Sequence, residues 1–180
     1  MDVRALCLGV LSRGEASGYE IRKQFEEGMI SHFQEAGFGS IYPALRRLSD
    51  DGLVECTKHS QDQRPDKKVY TITAEGRAAL YDALMKPPAP DKYRSDFLFL
   101  SLFAPMLPAS HIESMIEVRL AWFRAEIARM EGCVASDLST GDRFVTEYGL
   151  AVYRAAAAFL EAHGHELVAE SLITQPMVAE

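Results

Sequence analysis

Cysteine is scarce in this chain. Its 180 residues hold three, Cys7, Cys56 and Cys133, an odd number spread far apart. That pattern excludes a disulfide framework as the source of stability. Positive charge is short as well: 19 Lys+Arg stand against 26 Asp+Glu, a net of −7. Long hydrophobic runs are missing. The longest, 97–106, is interrupted by a serine and a proline and is too short to cross a bilayer. No basic segment followed by an apolar one opens the sequence, so no secretory signal is expected, no membrane partner, and a cytoplasmic location. Catalytic signatures are lacking too. There is no G-x-S-x-G, no glycine-rich phosphate loop and no helical pair of metal ligands. We therefore expect no enzyme, no catalytic residues, no cofactor and no metal. His163 and His165 lie two apart, but a solvated helix end accounts for them. Low-complexity tracts are limited to the alanines at 155–158.

What is present is concentrated in one stretch, residues 40–54. Ile41, Ala44, Leu45 and Leu48 recur at helical spacing and make one apolar stripe. Tyr42, Pro43, Arg46, Arg47 and Asp50 point the other way. Ser40 suits an N-cap, its hydroxyl accepting an end N–H. Pro43 fits the first turn, where its missing N–H costs little. Gly52 is the expected stop, and Leu53-Val54 begins a strand. Such a helix packs on a domain with one face and offers two adjacent arginines with the other. The competing reading, an ordinary charged surface helix, is weakened by what surrounds it.

Residues 2–11 read as a first helix with Val3, Leu6, Cys7 and Val10 on one face. Ser17-Gly18-Tyr19-Glu20 is a capping box opening a second helix, with Ile21 and Phe25 inward and Arg22 and Lys23 outward. After the third helix, 53–58 and 69–73 read as two strands joined by the polar hairpin loop 60–68, which carries Arg64, Lys67 and Lys68. Residues 73–76 then start a fourth helix bearing Leu80 and Leu84. Three helices, a hairpin and a helix follow the order of a winged helix-turn-helix domain, whose third helix enters the major groove while the wing meets the flanking backbone.

These segments resemble the PadR-type transcriptional regulators, of the longer kind with a helical C-terminal domain. The resemblance rests on Ser17-Gly18-Tyr19-Glu20-Ile21, on 40–48 running through Gly52-Leu53-Val54, and on Tyr70-Thr71-Ile72-Thr73-Ala74-Glu75-Gly76 with Leu80 beyond. It covers nearly all of the N-terminal half. The segment 31–38 lacks a tryptophan often found there in relatives, and Phe33 takes that place. The implied fold class is mainly α: a winged helix-turn-helix domain with a two-stranded wing over 1–86, plus a C-terminal α-helical dimerisation and effector domain over 91–180. The implied function is sequence-specific regulation of transcription, as a repressor, by a homodimer on a double-stranded DNA operator.

The second half reads as follows. Lys86-Pro87-Pro88-Ala89-Pro90 cannot continue a helix and favours a stiff, extended connection. Residues 95–103 are apolar nearly all round and are expected to form a buried helix pinned between the halves, ending at Pro105 and Pro108. In a long helix beyond, Ile116, Leu120, Phe123, Ile127 and Met130 are spaced four, three, four, three, a heptad seam. Phe144, Tyr148, Ala151, Ala155 and Ala158 or Phe159 keep nearly the same rhythm in a second, which folds back as an antiparallel partner. We expect Ile116, Leu120, Ile127, Met130 and Ala155 at a dimer interface, because a two-helix domain buries little alone. The alternative is that each helix packs only within its own chain.

Site residues follow. One of Arg46 and Arg47 is expected to hold guanine through two hydrogen bonds, the other phosphate. Ser40 and Tyr42, with Pro43 on the same outward turn, lie near a helix N-terminus suited to phosphate. Arg64, Lys67 and Lys68 serve the wing. The resemblance adds Tyr19 as a phosphate donor, and a small aromatic ligand as effector. For that ligand Tyr93, Phe97, Trp122, Phe123 and Tyr148 offer a lining and Arg119, Arg94 or His111 a carboxylate partner, although aromatics at helical spacing more often form core. Acidity argues against DNA. Residues 1–85 hold 11 Lys+Arg and 13 Asp+Glu, a net of −2, and residues 86–180 hold 8 and 13, a net of −5. Placement outweighs the sum, since salt screens charges beyond roughly 8–10 Å. A winged-helix protein-interaction module and a cysteine-based redox sensor are the alternatives.

Overall fold

A computed structural model describes residues 1–28, 30, 38–61, 64–91, 93–132 and 138–173. Two compact units divide the chain, Met1–Asp91 and Lys92–Glu180. The first runs α1 (Val3–Leu11), β1 (Ala16–Ser17), α2 (Gly18–Glu26), α3 (Phe38–Asp50), β2 (Val54–Gln61), β3 (Arg64–Ile72) and α4 (Ala74–Leu84).

Local chemistry sets most of these boundaries. Asp2 caps α1, its carboxylate accepting the Ala5 N–H at 2.8 Å. Ser17 and Glu20 form the reciprocal capping box of α2. The Thr73 hydroxyl accepts the Gly76 N–H at 3.0 Å to start α4, and donates to the Gly52 carbonyl at 2.9 Å. At the end of α3, Gly52 takes φ +70°. The Leu53 N–H reaches the Leu48 carbonyl at 2.8 Å and the Gly52 N–H reaches Ser49 at 3.1 Å. That pair of bonds is a Schellman motif, which a side chain at Gly52 would strain.

The core lies beneath α3. Ile41, Leu45 and Leu48 are fully buried, joined by Cys7, Leu8 and Leu11 from α1, Ile21 and Phe25 from α2, Val54, Tyr70 and Ile72 from the sheet, and Leu80 from α4. Each such aliphatic side chain contributes about 1.5–3 kcal/mol by leaving water. Leu84 is exposed instead.

Three points differ from expectation. Helix α3 begins at Phe38, so Ser40 lies inside it and Pro43 is an interior proline rather than a first-turn one. Helix ends are weakly specified, and one lost N–H bond near the start is tolerated. The wing strands are longer than 53–58 and 69–73. Their antiparallel register runs from Val54↔Ile72 to Gln61↔Arg64, with an irregularity between His59 and Gln61. Lys67 and Lys68 are therefore strand residues, because a polar strand in water keeps its backbone ladder without an apolar alternation to announce it. Finally, β1 adds a third strand in the order β1-β3-β2, pairing Ala16 with Tyr70 and Ser17 with Val69.

The second unit holds α5 (Asp96–Ser101), a 3-10 turn (Ala104–Met106), α6 (Ala109–Gly132) and α7 (Thr140–Ile173). Helix α5 is not the buried helix its composition led us to expect. Leu98, Phe99 and Leu100, with Leu102 and Phe103 beyond, are exposed. Only Phe97 turns toward the α6–α7 core. Six residues with apolar groups on every side cannot all reach one neighbour.

The expected seam on α6 is spent within the chain. Ile116, Phe123 and Met130 are buried, with Leu120 and Ile127 partly so. Their partners on α7 include Ala157 and Leu160, while Ile116 lies over Gly164, where an added Cβ would stand 3.2 Å away. On α7 the inward residues are Thr146, Leu150, Ala157, Leu160, Gly164 and Ser171. The stripe read from the sequence is two residues out of phase. Phe144, Tyr148 and Phe159 are more than 60% exposed, and Ala151, Ala155 and Ala158 face water with them.

Candidate nucleic-acid interface

The outward face of α3, the start of α2 and the base of the wing enclose an open groove of about 620 Å³. Tyr19, Glu20, Tyr42, Arg46, Ser49, Asp50, Lys67 and Lys68 contribute to it. Helix α3 puts Arg46 there because Leu45 and Leu48 are anchored below, which fixes the rotation of the helix. Arg47 is exposed on the same side of the stripe, and among the described residues neither arginine forms an ion pair. Tyr42 packs against the first turn of α2. Gly18 makes the approach feasible: a Cβ there would fall 2.6 Å from Tyr42 Cε1. Tyr42 and Tyr19 remain 42% and 63% exposed, so both phenols reach solvent.

One pairing in the groove was absent from the sequence reading. Lys67 Nζ on β3 lies 3.0 Å from Glu20 Oε1 on α2. The other carboxylate oxygen of Glu20 accepts from the Ser17 N–H and the Ser17 hydroxyl, each at 2.7 Å. Those Ser17 bonds, then Lys67, hold the Glu20 carboxyl down at about 2, despite a small opposing effect of burial. A sequence signal existed only for the Ser17 half, in the three-residue spacing of a capping box. The Lys67 half is a contact 47 residues apart. Lys68 is exposed on the next position of the strand. The Arg64 side chain, like Phe33 and Cys133, lies outside the described residues. Ser40 is half-buried within the first turns of α3.

The groove offers the Arg46 guanidinium, two phenols and the Lys67 and Lys68 ammonium groups beside the carboxylates of Glu20 and Asp50, and Arg47 stands exposed at the next position of α3. Such a set suits a polyanion with repeated phosphates, the guanidinium fork also matching a base edge. Three other acids of this unit are held in pairs, Asp51 with Arg4, Glu26 with Arg22 at 2.8 Å and Glu27 with Lys23 at 3.6 Å, whereas Asp50 lines the groove itself. The thiols differ from one another. Burial, with Asp2 nearby, pushes Cys7 up to about 12, which keeps it protonated and unreactive. Cys56 is exposed on β2.

In the second unit, Phe97, Leu100, Met115, Val118, Arg119 and Trp122 line an open slot of about 330 Å³. The Arg119 guanidinium lies over the rings of Trp122 and Phe123, at 4.5 and 4.7 Å. Trp122, Phe123 and Tyr153 form a cluster with centroids 5.2–5.6 Å apart. Phe123 is buried within it, and burial raises the Tyr153 phenol above its ordinary range. Tyr93 and Tyr148, expected to line the same site, are exposed and do not contribute to the slot. His163 stacks on Phe159 and lies 2.9 Å from Glu166. Among the described residues no cluster of three or more His, Cys, Asp or Glu is arranged to hold a metal, and no helix is long and apolar enough to cross a membrane.

Comparison with known proteins gives a consistent result. The family model described as "Transcriptional regulator PadR-like family" matches residues 7–82. The negative transcriptional regulator PadR of Bacillus subtilis is 30% identical over 126 residues, covering 69% of each chain. The structure of the PadR-like transcriptional regulator BC1756 from Bacillus cereus superposes with a TM-score of 0.80 at 30% identity, over 94% of this chain and 99% of that one. Bacillus subtilis PadR in complex with operator DNA gives 0.75 at 26% identity, over 91% and 98%. The same protein in complex with p-coumaric acid gives 0.67 at 25%, over 92% and 98%.

Proposed function

This chain belongs to the PadR-like family of transcriptional regulators, and we propose that it is a cytoplasmic repressor that binds a twofold operator as a homodimer and is released by a small aromatic ligand. DNA binding is the activity of the family. The finer assignment is carried by the outward face of α3, where Arg46 stands between two phenols and the wing and Arg47 is exposed at the next position.

In this reading α3 enters the major groove. Arg46 or Arg47 takes guanine in a bidentate contact and the other takes phosphate. Tyr19, Ser40 and Tyr42, with Pro43 in van der Waals reach, line the backbone at the groove edge. Arg64 and Lys68 follow the flanking backbone from the wing. Repression is favoured by the negative regulator to which the chain is 30% identical.

Dimerisation is favoured by the second stripe of α7. Phe144, Tyr148, Val152, Ala155 and Phe159 leave a heptad-spaced apolar face in water, and patches of that kind mark contact surfaces. The interface proposed from Ile116 and Met130 is thereby moved outward, with Ala155 retained. Residues 92–180 thus form the dimerisation and effector domain, and residues 1–91 the DNA-binding domain. The effector slot is that of Phe97, Arg119 and Trp122, apolar with one cation at its edge. It is suited to an aromatic carboxylate such as the ligand with which Bacillus subtilis PadR was solved.

A gel shift on the DNA upstream of the protein's own gene tests the reading. Arg46→Ala and Arg47→Ala should each weaken binding by about 1–3 kcal/mol per half-site with an unchanged melting temperature. Normal binding by both variants would remove α3 from the groove.

A further inference from the structure

Glu20 belongs to the helix cap and Lys67 to the groove, but neither role requires the contact between them. Glu20 divides its two oxygens: Oε2 closes the capping box on Ser17 and Oε1 holds Lys67 of the wing. Closure of the cap needs no charge, since glutamine serves at that position as well as glutamate. Only the Lys67 contact uses the carboxylate's charge. The pair sits in the same groove as Arg46 and Tyr42, half-exposed, where a DNA phosphate would arrive.

We propose that Glu20 is a built-in competitor for the wing cation: it occupies Lys67 in place of a DNA phosphate and so sets the affinity of the domain for DNA. The carboxylate offers Lys67 what a phosphate offers, an anionic oxygen at 3.0 Å. It also places a negative charge beside the approaching backbone. Because Ser17 fixes its other oxygen, and Ser17 pairs with Val69 two residues from Lys67, Glu20 cannot swing aside without opening the cap. Its ionised form persists through the whole working range of pH. The wing therefore meets DNA through Lys68, with Lys67 neutralised. Sequence-independent attraction, which depends on the number of phosphates neutralised, is kept down in a domain that has few cations elsewhere.

The inference rests on the DNA-binding reading above, and the experiment separates the two. Fluorescence anisotropy would follow binding to a duplex from upstream of the protein's own gene, and to a random duplex of equal length. Salt would run from about 50 to about 300 mM, where phosphate contacts dominate the dependence. The proteins are full-length wild type, Glu20→Gln, Lys67→Gln, the double variant and Arg46→Ala. Freeing one cation for phosphate adds about 0.9 to the log–log salt slope, up to about eightfold in affinity at 0.1 M salt. Glu20→Gln should show that steeper slope and tighter binding on both duplexes. Lys67→Gln should keep the wild-type slope, and the double variant should resemble it. A slope that becomes shallower in Lys67→Gln means that Lys67 already holds phosphate, and overturns the proposal. So does an unchanged slope in a folded Glu20→Gln. Should Glu20→Gln fail to fold, the Lys67→Gln slope alone decides. Arg46→Ala indistinguishable from wild type, or no binding of either duplex, would instead sink the parent reading and this one with it.

Discussion

Replacing Gly18 by alanine adds one methyl group, 2.6 Å from Tyr42 Cε1 and 3.3 Å from Cδ1 and Cζ. Something must move, and the tyrosine ring is the cheaper part, because it is 42% exposed while the α2 backbone is tied by the capping box. Two small effects then oppose each other in the free protein. Gly18 is the first residue of α2, and alanine gains up to about 1 kcal/mol over glycine in a helix, less at its first turn. Driving Tyr42 off its rotamer costs about 0.5–1.5 kcal/mol. The net change in stability should lie within about 1 kcal/mol, a shift of a few degrees in melting temperature. DNA binding responds differently. A phenol that donates to phosphate contributes about 1.5 kcal/mol or more as a bond to a charged group, so its displacement weakens each half-site about tenfold. Thermal denaturation by circular dichroism and anisotropy on operator DNA measure the two quantities. Tyr42→Phe is the control: the ring stays, the hydroxyl goes, and the binding loss should be matched. Gly18→Ala protein that binds DNA as tightly as wild type would refute the claim that this glycine exists to seat Tyr42 at the interface.

Three further outcomes follow from the same geometry. Glu20 is held at about 2, below the ordinary carboxylate value of about 4.3; its contribution to stability is full above that value and is lost as pH falls toward about 2. Urea titrations at descending pH should show this limb flattened in Glu20→Gln, and an identical profile would deny the capping carboxylate its role. On α7, Phe159→Glu should yield a folded monomer by light scattering, whereas Phe123→Ala should lower stability by about 3–5 kcal/mol; a dimer that survives Phe159→Glu moves the interface elsewhere. Trp122 is the sole tryptophan, so its fluorescence should change as p-coumarate is added and Arg119→Ala should weaken that response. A flat titration across aromatic acids would leave the slot without a ligand.

The first unit was legible because its signals are local. Ser17 with Glu20, Gly52 and Thr73 each act within a few residues and take the roles their spacing implies, and Asp2, read as the first helical residue, caps α1 instead. The buried stripe Ile41, Ala44, Leu45 and Leu48 came from periodicity alone. What escaped was non-local. The two-residue β1 has meaning only through its pairing with Tyr70 and Val69, and the length of the wing depends on backbone bonds that polar side chains do not announce. The Glu20–Lys67 pair likewise joins residues that only folding brings together. In the second unit the period was right and the phase was wrong. Two stripes share the 3.5-residue rhythm on α7, and the larger aromatics drew attention to the outer one. Close packing of two helices instead favours small residues, and the inward face carries Thr146, Gly149, Ala157 and Gly164. The aromatics are too large for that seam and are left facing outward, which is why they call for a second surface.

The acidity of the chain becomes an argument about distribution. The first ninety residues carry more acids than bases, yet Asp51, Glu26, Glu27 and Glu20 are each engaged by a cation. Such exposed pairs add little stability, about 0–1 kcal/mol each. Their larger effect is on the field: a paired charge is a short dipole that salt screens within roughly 8–10 Å. Arg4, Arg22 and Lys23 are spent in this way, while Arg46 and Lys68 stand exposed in the groove and Arg47 is exposed on the same helix. The field that a phosphate backbone meets is then set by these cations, with Asp50 in the same groove opposing them, and not by the net of −7. With so small a reserve, each of the two groove carboxylates, Glu20 and Asp50, weighs heavily. In a basic domain the loss of Lys67 to Glu20 would pass unnoticed, whereas here it decides whether Lys67 joins Lys68 on the duplex.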